Sequence, residues 1–170
     1  SLEGIIKEFQ GIGKFRNKIV FLKFGVSDSF SYLCKLYGLS IVKDEEGMKV
    51  LIVIPCYNEE EVLPKTLEVL GNLIKNIKKE TDADTGLLLV DDGSRDHTWQ
   101  MISDAAREHR YVHGIKLSHN RGHQNALWAG MEAAVDHCDA MVSIDADLQD
   151  DENVIIDMVR QVQEGKDIIY

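Results

Sequence analysis

The chain has 170 residues, enough for one domain with a sizeable hydrophobic core. It is 44% hydrophobic with only 2 prolines, a composition that is typical of folded proteins and excludes a disordered chain. The formal net charge of -10 argues against nucleic acid as a partner, because nucleic-acid binding normally needs a basic surface.

Charge divides the chain near residue 47. Residues 1–47 contain seven Lys or Arg and six Asp or Glu, whereas the remaining residues contain twelve and twenty-three. Met48 opens the pattern Met-Lys-Val-Leu-Ile-Val-Ile-Pro, which is typical of the start of an α/β domain. We therefore predict a domain over 48–170. Residues 1–47 are interpreted as an extension, with a small helical subdomain, an interaction segment and appended foreign sequence left open.

From Met48 onward, short apolar runs alternate with segments whose apolar residues recur at helical spacing. The runs predict strands at 50–54, 87–90, 112–117, 140–144 and 167–170, and the segments between them predict helices at 60–79, 98–108, 123–137 and 152–163. This alternation predicts an α/β fold with a doubly wound, mostly parallel sheet and helices on both faces.

Polar clusters follow the predicted strands at the point where each strand ends. They are Pro55-Cys-Tyr-Asn-Glu-Glu60, Asp91-Asp-Gly-Ser-Arg-Asp96, Ser118-His-Asn-Arg-Gly-His123 and Asp145-Ala-Asp-Leu-Gln149. Ligands of parallel α/β sheets bind beyond the carboxyl ends of the strands. All four clusters fall on that edge, so we predict a ligand site there.

Each cluster also has a purely structural interpretation. Residues 58–59 can cap the first helix, residues 91–94 can form an ordinary turn, and Gly122 can serve a loop that needs a positive φ. His119 and His123 have the spacing of metal ligands on a helix, but Gly122 disfavours a continuous helix there. We therefore expect two exposed loop histidines. These interpretations explain each cluster alone but not their common edge.

The fourth cluster carries two carboxylates one residue apart, Asp145 and Asp147, followed by the amide of Gln149. Carboxylate and amide oxygens suit a hard divalent cation such as Mg²⁺ or Mn²⁺, which takes its other ligands from water and substrate phosphates. Such a cation lets an acidic protein bind an anionic diphosphate. We therefore predict a metal bridge to a phosphorylated substrate.

Together the clusters resemble the family 2 glycosyltransferases, which have the GT-A fold, a Rossmann-like α/β architecture. The similar segments are Val50-Leu-Ile-Val-Ile-Pro-Cys-Tyr-Asn-Glu-Glu, Leu89-Val-Asp-Asp-Gly-Ser-Arg-Asp-His-Thr, Asn120-Arg-Gly-His-Gln-Asn-Ala-Leu-Trp-Ala-Gly, Ile144-Asp-Ala-Asp-Leu-Gln-Asp and Glu164-Gly-Lys-Asp-Ile-Ile-Tyr. The Asp-Ala-Asp-Leu-Gln form is most similar to the branch of dolichol-phosphate mannose synthases and bactoprenol glucosyltransferases. The resemblance covers 48–170 and implies a nucleotide-sugar-binding domain that is incomplete at its C-terminus.

The resemblance implies roles for particular residues. The nucleotide site would contain Pro55, Tyr57, Glu59, Asp92 bonded to the base, Arg121, Asp145 and Ala146, and the metal site would contain Asp145, Asp147 and Gln149. No acceptor-side catalytic residue is implied, because the family's acceptor segments lie downstream of Tyr170.

The resemblance also implies an inverting transfer of a sugar from a nucleotide-diphosphate sugar, with a polyprenyl (lipid) phosphate as the expected acceptor. Two alternatives stay open: transfer to a saccharide hydroxyl in cell-wall or surface polysaccharide synthesis, and a non-catalytic nucleotide- or metal-binding fragment. A phosphatase with an Asp-x-Asp nucleophile is disfavoured, because Leu148 stands where that motif has Thr or Val. We expect these 170 residues to bind the donor without transferring the sugar.

Location and partners follow from the same sequence. Cys34, Cys56 and Cys138 lack metal-ligand spacing and are interpreted as reduced thiols, which favours a cytoplasmic location. No apolar run approaches the roughly 18 residues of a transmembrane helix, so membrane association would come from segments outside these 170 residues. We expect the full-length protein at the cytoplasmic face of a membrane, with no nucleic-acid partner and with a homo-oligomer left open.

Overall fold

A computed structural model describes residues 6–10, 21–23, 47–149 and 151–169. Strands and helices alternate along the chain from residue 49 onward. The strands are β1 (Ile6–Gln10), β2 (Phe21–Lys23), β3 (Lys49–Cys56), β4 (Asp84–Asp91), β5 (Val112–Leu117), β6 (Ala140–Ser143) and β7 (Ile168–Ile169), and the helices are α1 (Leu63–Thr81), α2 (Thr98–Glu108), α3 (His123–Ala134) and α4 (Val154–Gln163).

The strands of the described residues form one sheet in the order β1-β5-β4-β3-β6-β2-β7. Only the β1–β5 pair in this order is antiparallel, so the predicted α/β fold with a mostly parallel sheet is confirmed. The chain runs outward from β3 to β4 and β5, and then returns to β6 on the other side of β3. The strand order therefore reverses between β3 and β6, which is where α/β sheets open a crevice for a ligand.

Side chains of the central strands alternate between the two faces of the sheet. Val50, Ile52 and Ile54 of β3 pack in a core with α1, α2 and α4, whereas Leu51 and Val53 pack in a second core with α3. Because both faces are covered, the central strands read as continuous apolar runs rather than as alternating patterns. The prediction of helices on both faces is confirmed.

Residues 1–47 contribute two strands that the sequence did not predict. β1 lies antiparallel beside β5, and β2 lies between β6 and β7, parallel to both. The domain boundary at residue 47 stays a prediction. Cys34 and Tyr170 lie outside the described residues.

Three helices differ from the prediction at their ends: α1, α3 and α4, the last of which begins at Val154 instead of residue 152. α1 begins at Leu63, whose N–H bonds to the Glu59 carbonyl, and Pro64 occupies the first turn, where its missing N–H costs no hydrogen bond. α3 ends at Ala134, and the next three residues form a turn closed by the His137 N–H. No helix in the described part of the chain has the length and apolarity needed to cross a membrane.

α3 crosses the sheet at Gly130. A Cβ atom at this position would lie 2.5 Å from Val53 Cγ1 and 2.7 Å from Val90 Cγ2. Because glycine has no side chain, α3 can pack close to strands β3 and β4 at this position. This packing also sets the position of the N-terminus of α3, which points to the carboxyl ends of the strands.

Candidate functional site

Four loops lie at the carboxyl ends of the parallel strands. Loop 1 (57–62) follows β3, loop 2 (92–97) follows β4, loop 3 (118–122) follows β5, and loop 4 (144–149) follows β6. β3 and β6 are neighbours at the reversal of strand order, so loops 1 and 4 flank the crevice. The predicted site residues lie in these four loops, except Pro55, which is buried in β3.

Loops 1 and 2 are joined by a reciprocal pair of hydrogen bonds at Asn58. The Asn58 N–H donates to Ser94 Oγ at 2.9 Å, and the Arg95 N–H donates to Asn58 Oδ1 at 2.9 Å. Asn58 has a φ of 57°, in the left-handed region that asparagine adopts more readily than most residues. Its side chain therefore links two loops, and α1 has no side-chain cap.

Three further hydrogen bonds fasten loop 1 to loop 2 and to the start of α2. The Glu59 N–H donates to Thr98 Oγ1 at 2.8 Å, the Glu60 N–H to Asp96 Oδ2 at 3.1 Å, and the His97 N–H to Glu60 Oε2 at 2.9 Å. Hydrogen bonds from the main chain and side chain of His97 hold the pKa of Glu60 below its ordinary value. With the reciprocal pair, these bonds form what we call the loop clamp.

The two aspartates at the end of β4 have different partners. Asp91 is 0% exposed, and its Oδ1 accepts from the Ser94 N–H at 3.2 Å, as in an ordinary turn. Burial raises the pKa of Asp91, and the hydrogen bonds from Ser94 oppose that rise. Asp92 is 2% exposed, and its two oxygens accept from the N–H groups of Arg121 at 2.7 Å and Gly122 at 2.8 Å. Asp92 therefore fixes the main chain of loop 3.

Loops 2 and 3 come into main-chain contact at Gly93. Its φ is 68°, and a Cβ atom there would lie 2.6 Å from Asn120 N and 2.7 Å from His119 Cα. Because these are main-chain atoms, no side-chain rotation can make room for a larger residue. Glycine is therefore required both for its conformation and for its size.

Loop 4 presents two carboxylates and buries the residue between them. Asp145 and Asp147 are exposed, whereas Ala146 is 3% exposed. Leu148 has a φ of 50°, in the left-handed region that a branched apolar side chain rarely adopts. Gln149 follows it and is exposed. The pocket here is lined by Ile144, Asp145, Asp147, Leu148, Gln149, Asp151 and Glu152.

Negative charge accumulates where loop 4 faces loop 1. Burial and then the charges of Asp147, Asp96 and Asp145 raise the pKa of Glu59. His123 offers a positive charge only when protonated, and its Nε2 lies 3.5 Å from Asp145 Oδ1. Neighbouring carboxylates repel one another unless a cation compensates them. The arrangement therefore favours an added cation between loops 1 and 4.

The described residues contain no ready-made metal cage. Within 47–149 and 151–169, no group of three or more His, Cys, Asp or Glu side chains is arranged to hold a metal ion. His119 and His123 are both exposed, as predicted, but only His119 lies in a loop, because His123 is the first residue of α3. Gly122, between them, has a φ of 88°. A cation at Asp145 and Asp147 would therefore need oxygen ligands from other sources.

The residues that hold the loops together were not predicted from the sequence. Ser94, Asp96 and Thr98 were not singled out, yet each accepts a hydrogen bond from the main chain of loop 1. Their alternation is visible in the sequence, because every second residue from 94 to 98 has a short side chain with an oxygen. Such side chains often bond to nearby main-chain groups, but their partners lie some 36 to 39 residues away here.

Two solved structures share the fold of this chain. The crystal structure of S. aureus TarS 1-349 aligns with a TM-score of 0.53 at 21% identity, over 69% of this chain and 33% of that chain. The structure of the same TarS segment in complex with UDP aligns with a TM-score of 0.52 at 20% identity, over 69% and 32%. The chain is an α/β domain of the GT-A class, and the predicted fold is confirmed.

The family follows from the sequence itself. The profile described as "Glycosyl transferase family 2" matches residues 51–170, and the chain belongs to that family, as predicted. The uncharacterized glycosyltransferase YkoT of Bacillus subtilis (strain 168) is 44% identical over 121 residues, which are 70% of this chain and 36% of YkoT. The undecaprenyl-phosphate 4-deoxy-4-formamido-L-arabinose transferase of Proteus mirabilis (strain HI4320) is 39% identical over 126 residues, 74% and 37% of the two chains. The chain thus spans little more than a third of the length of these relatives.

Proposed function

We propose that the chain supplies the donor site of an inverting glycosyltransferase that moves a sugar from a nucleoside diphosphate to a polyprenyl phosphate. The observation that carries the proposal is the position of the exposed carboxylates Asp145 and Asp147 on loop 4, beside loop 1 at the reversal of strand order. A relative named as an undecaprenyl-phosphate sugar transferase supports the acceptor. The TarS structure that holds UDP supports a nucleoside diphosphate as the ligand class.

We assign a divalent cation, Mg²⁺ or Mn²⁺, to Asp145, Asp147 and Gln149. The donor set fits, because two exposed carboxylates and an amide supply hard oxygen ligands and leave positions for water and diphosphate oxygens. Burial is the first cause of the raised pKa of Glu59, and the charges of Asp147, Asp96 and Asp145 add a repulsion that a cation would relieve. When bound, the cation supplies Lewis-acid stabilisation of the diphosphate leaving group.

The protein's own residues hold the nucleotide around this position. Tyr57 is exposed at the start of loop 1 and would contact the base, and Pro55 is buried two residues earlier in β3. Arg121 is exposed on loop 3, and its guanidinium suits the diphosphate. Ala146 is buried, so its contribution to the site is through its main chain.

The reaction breaks the bond between the anomeric carbon and the diphosphate through a transition state that resembles an oxocarbenium ion. Attack from the opposite face of the sugar inverts that carbon. A lipid phosphate is already anionic and needs little help from a general base, whereas a saccharide hydroxyl would need a carboxylate. The loop clamp keeps loop 1 and loop 2 fixed before the donor binds, so that little reorganisation accompanies the reaction.

The proposal is tested by calorimetric titration of UDP, GDP, CDP and ADP into the 170-residue chain, with and without Mn²⁺. We expect one nucleotide to bind at least about tenfold more tightly when Mn²⁺ is present. No binding of any nucleotide under either condition would remove the donor-site proposal. We propose that the full-length protein transfers the sugar at the cytoplasmic face of a membrane. Transfer is assayed with polyprenyl phosphate and with saccharide acceptors, and this chain is compared with a protein as long as its relatives.

Asp92 is expected to support nucleotide binding even without metal. In Asp92→Asn, an amide NH₂ would face the N–H of Arg121 or Gly122, so loop 3 would lose a hydrogen bond and the base would lose a charged acceptor. We expect binding to weaken by about 1–3 kcal/mol in a metal-free titration. Asp91→Asn is the control, because Asp91 is buried beside Asp92 but accepts from the Ser94 N–H in its own turn rather than from loop 3. A lower melting temperature with unaltered affinity would assign Asp92 a purely structural role.

A further inference from the structure

We propose that Thr66 of α1 is a positioning residue that fixes the main chain between Asp145 and Asp147 and so sets the direction of both carboxylates. The inference rests on the proposed function of that pair as the cation site. Thr66 lies on the buried face of α1, between Leu63 and Leu70, and it was not among the residues that the sequence singled out.

The contact is short and buried. Thr66 is 2% exposed, and its Oγ1 lies 2.5 Å from the Ala146 carbonyl oxygen and 3.1 Å from the Val62 carbonyl oxygen. A hydroxyl group has one proton, so it donates to one carbonyl at a time. The shorter distance assigns the donated bond to Ala146. The hydroxyl therefore reaches from the interior of one helix to the residue between the two carboxylates.

The other hydrogen bonds of loop 4 that the structure shows are longer. The Ile144 N–H lies 3.3 Å from the Val53 carbonyl, and the Leu148 N–H lies 3.4 Å from the Asp145 carbonyl. The left-handed φ of Leu148 also makes its backbone conformation unfavourable. Loop 4 thus depends strongly on its bond to Thr66.

Packing alone gives no reason for a hydroxyl at this position. Threonine is a weaker helix former than leucine or alanine, and valine has nearly the same shape without the polar atom. A buried hydroxyl is unfavourable unless it makes a hydrogen bond, and the Ala146 carbonyl supplies the partner. The hydroxyl is therefore best explained by the loop that it holds.

The test compares Thr66→Val with Thr81→Val. Thr81 lies on the same helix, and its Oγ1 donates to the Ile77 carbonyl at 2.7 Å, far from loop 4. Hydrogen exchange of residues 144–149 is measured by mass spectrometry without metal or nucleotide. We expect exchange to become about tenfold faster in Thr66→Val and to stay unchanged in Thr81→Val, because only the former loses the bond to loop 4.

Titration with UDP, or with the nucleotide that the parent chain prefers, gives the second measurement. In Thr66→Val, we expect about tenfold weaker binding in the presence of Mn²⁺ and less than a twofold change without it. Thr66→Ser keeps the hydroxyl and is expected to restore both exchange and affinity. Exchange and affinity are also compared between Thr66→Ala, which lacks the hydroxyl, and Thr66→Ser, which keeps it. The test then does not depend on correct folding of the valine variant.

The two measurements separate the inference from the function on which it rests. If the nucleotide affinity of the parent chain does not depend on Mn²⁺, the cation site is contradicted. Hydrogen exchange in loop 4 would still decide the role of Thr66. Unchanged exchange in both Thr66→Val and Thr66→Ala would overturn the positioning role. Faster exchange with unchanged Mn²⁺-dependent affinity would also overturn it, because the bond would then not control the carboxylates.

Discussion

Asp147→Asn is expected to abolish the metal-dependent part of nucleotide binding while the protein stays folded. The substitution removes one of the two exposed charges of loop 4 and leaves an amide that binds a hard cation far more weakly. Loss of a directly coordinating carboxylate should weaken the Mn²⁺-dependent affinity by about a hundredfold or more, at or above the upper range for residues that merely support metal ligands. Calorimetric titration of the preferred nucleoside diphosphate with Mn²⁺ measures the change.

The same substitution carries its own structural control. Burial and then the charge of Asp147 raise the pKa of Glu59, so neutralising Asp147 lowers that pKa and relieves repulsion between loops 1 and 4. We therefore expect an unchanged or higher melting temperature together with the loss of binding. Asp157→Asn changes the net charge equally, but it lies on α4 beside Arg160 and should leave nucleotide affinity unaltered. Full Mn²⁺-dependent affinity in Asp147→Asn would remove this residue from the metal site.

Gly93→Ala is expected to destabilise the protein and to weaken nucleotide binding at the same time. The new Cβ would meet main-chain atoms of His119 and Asn120 at 2.6–2.7 Å, and alanine is also unfavourable at a φ of 68°. A left-handed backbone costs about 1–2 kcal/mol and forced overpacking about 1–3 kcal/mol, so the free energy of unfolding should fall by about 2–5 kcal/mol. Urea unfolding measures the loss of stability.

Gly165→Ala separates the two causes. Gly165 also has a positive φ, 96°, but a Cβ atom there would meet nothing within 4 Å. This variant should therefore show the backbone cost alone, with unaltered nucleotide binding. Equal losses of stability in the two variants would mean that the close approach of loops 2 and 3 at Gly93 adds no steric cost.

Local sequence patterns predicted the bounds of an element correctly where its apolar pattern extends over the whole element. β5 and α2 begin and end at the predicted residues. β3 and β4 are longer than predicted, because their first residues, Lys49 and Asp84, are polar and are placed in the strands by pairing with each other. β1 and β2 are short, and their strand state depends on neighbours far along the chain, which a local pattern does not report.

The location of the site could be predicted because parallel topology brings the ends of the strands to one edge. The backbone conformations and long-range hydrogen bonds of its loops could not be predicted. Asn58 and Leu148 have left-handed backbones that their residue types do not require, and the partners of Asp92 lie 29 and 30 residues away. The contact between Thr66 and Ala146 spans 80 residues. Such bonds are set by tertiary geometry. Local motifs therefore predict the charged residues of the site but not the residues whose hydrogen bonds hold the loops in place.

The loop clamp has a consequence for how donor preference can diverge among proteins of this architecture. Its hydrogen bonds include those donated by three consecutive main-chain N–H groups, at residues 58–60. From loop 1 it uses only the side chains of Asn58 and Glu60. The side chains of Tyr57, Glu59 and Glu61 take no part in these bonds. Substitutions at those alternate positions can therefore change which nucleotide is accepted while the frame that presents it is inherited intact.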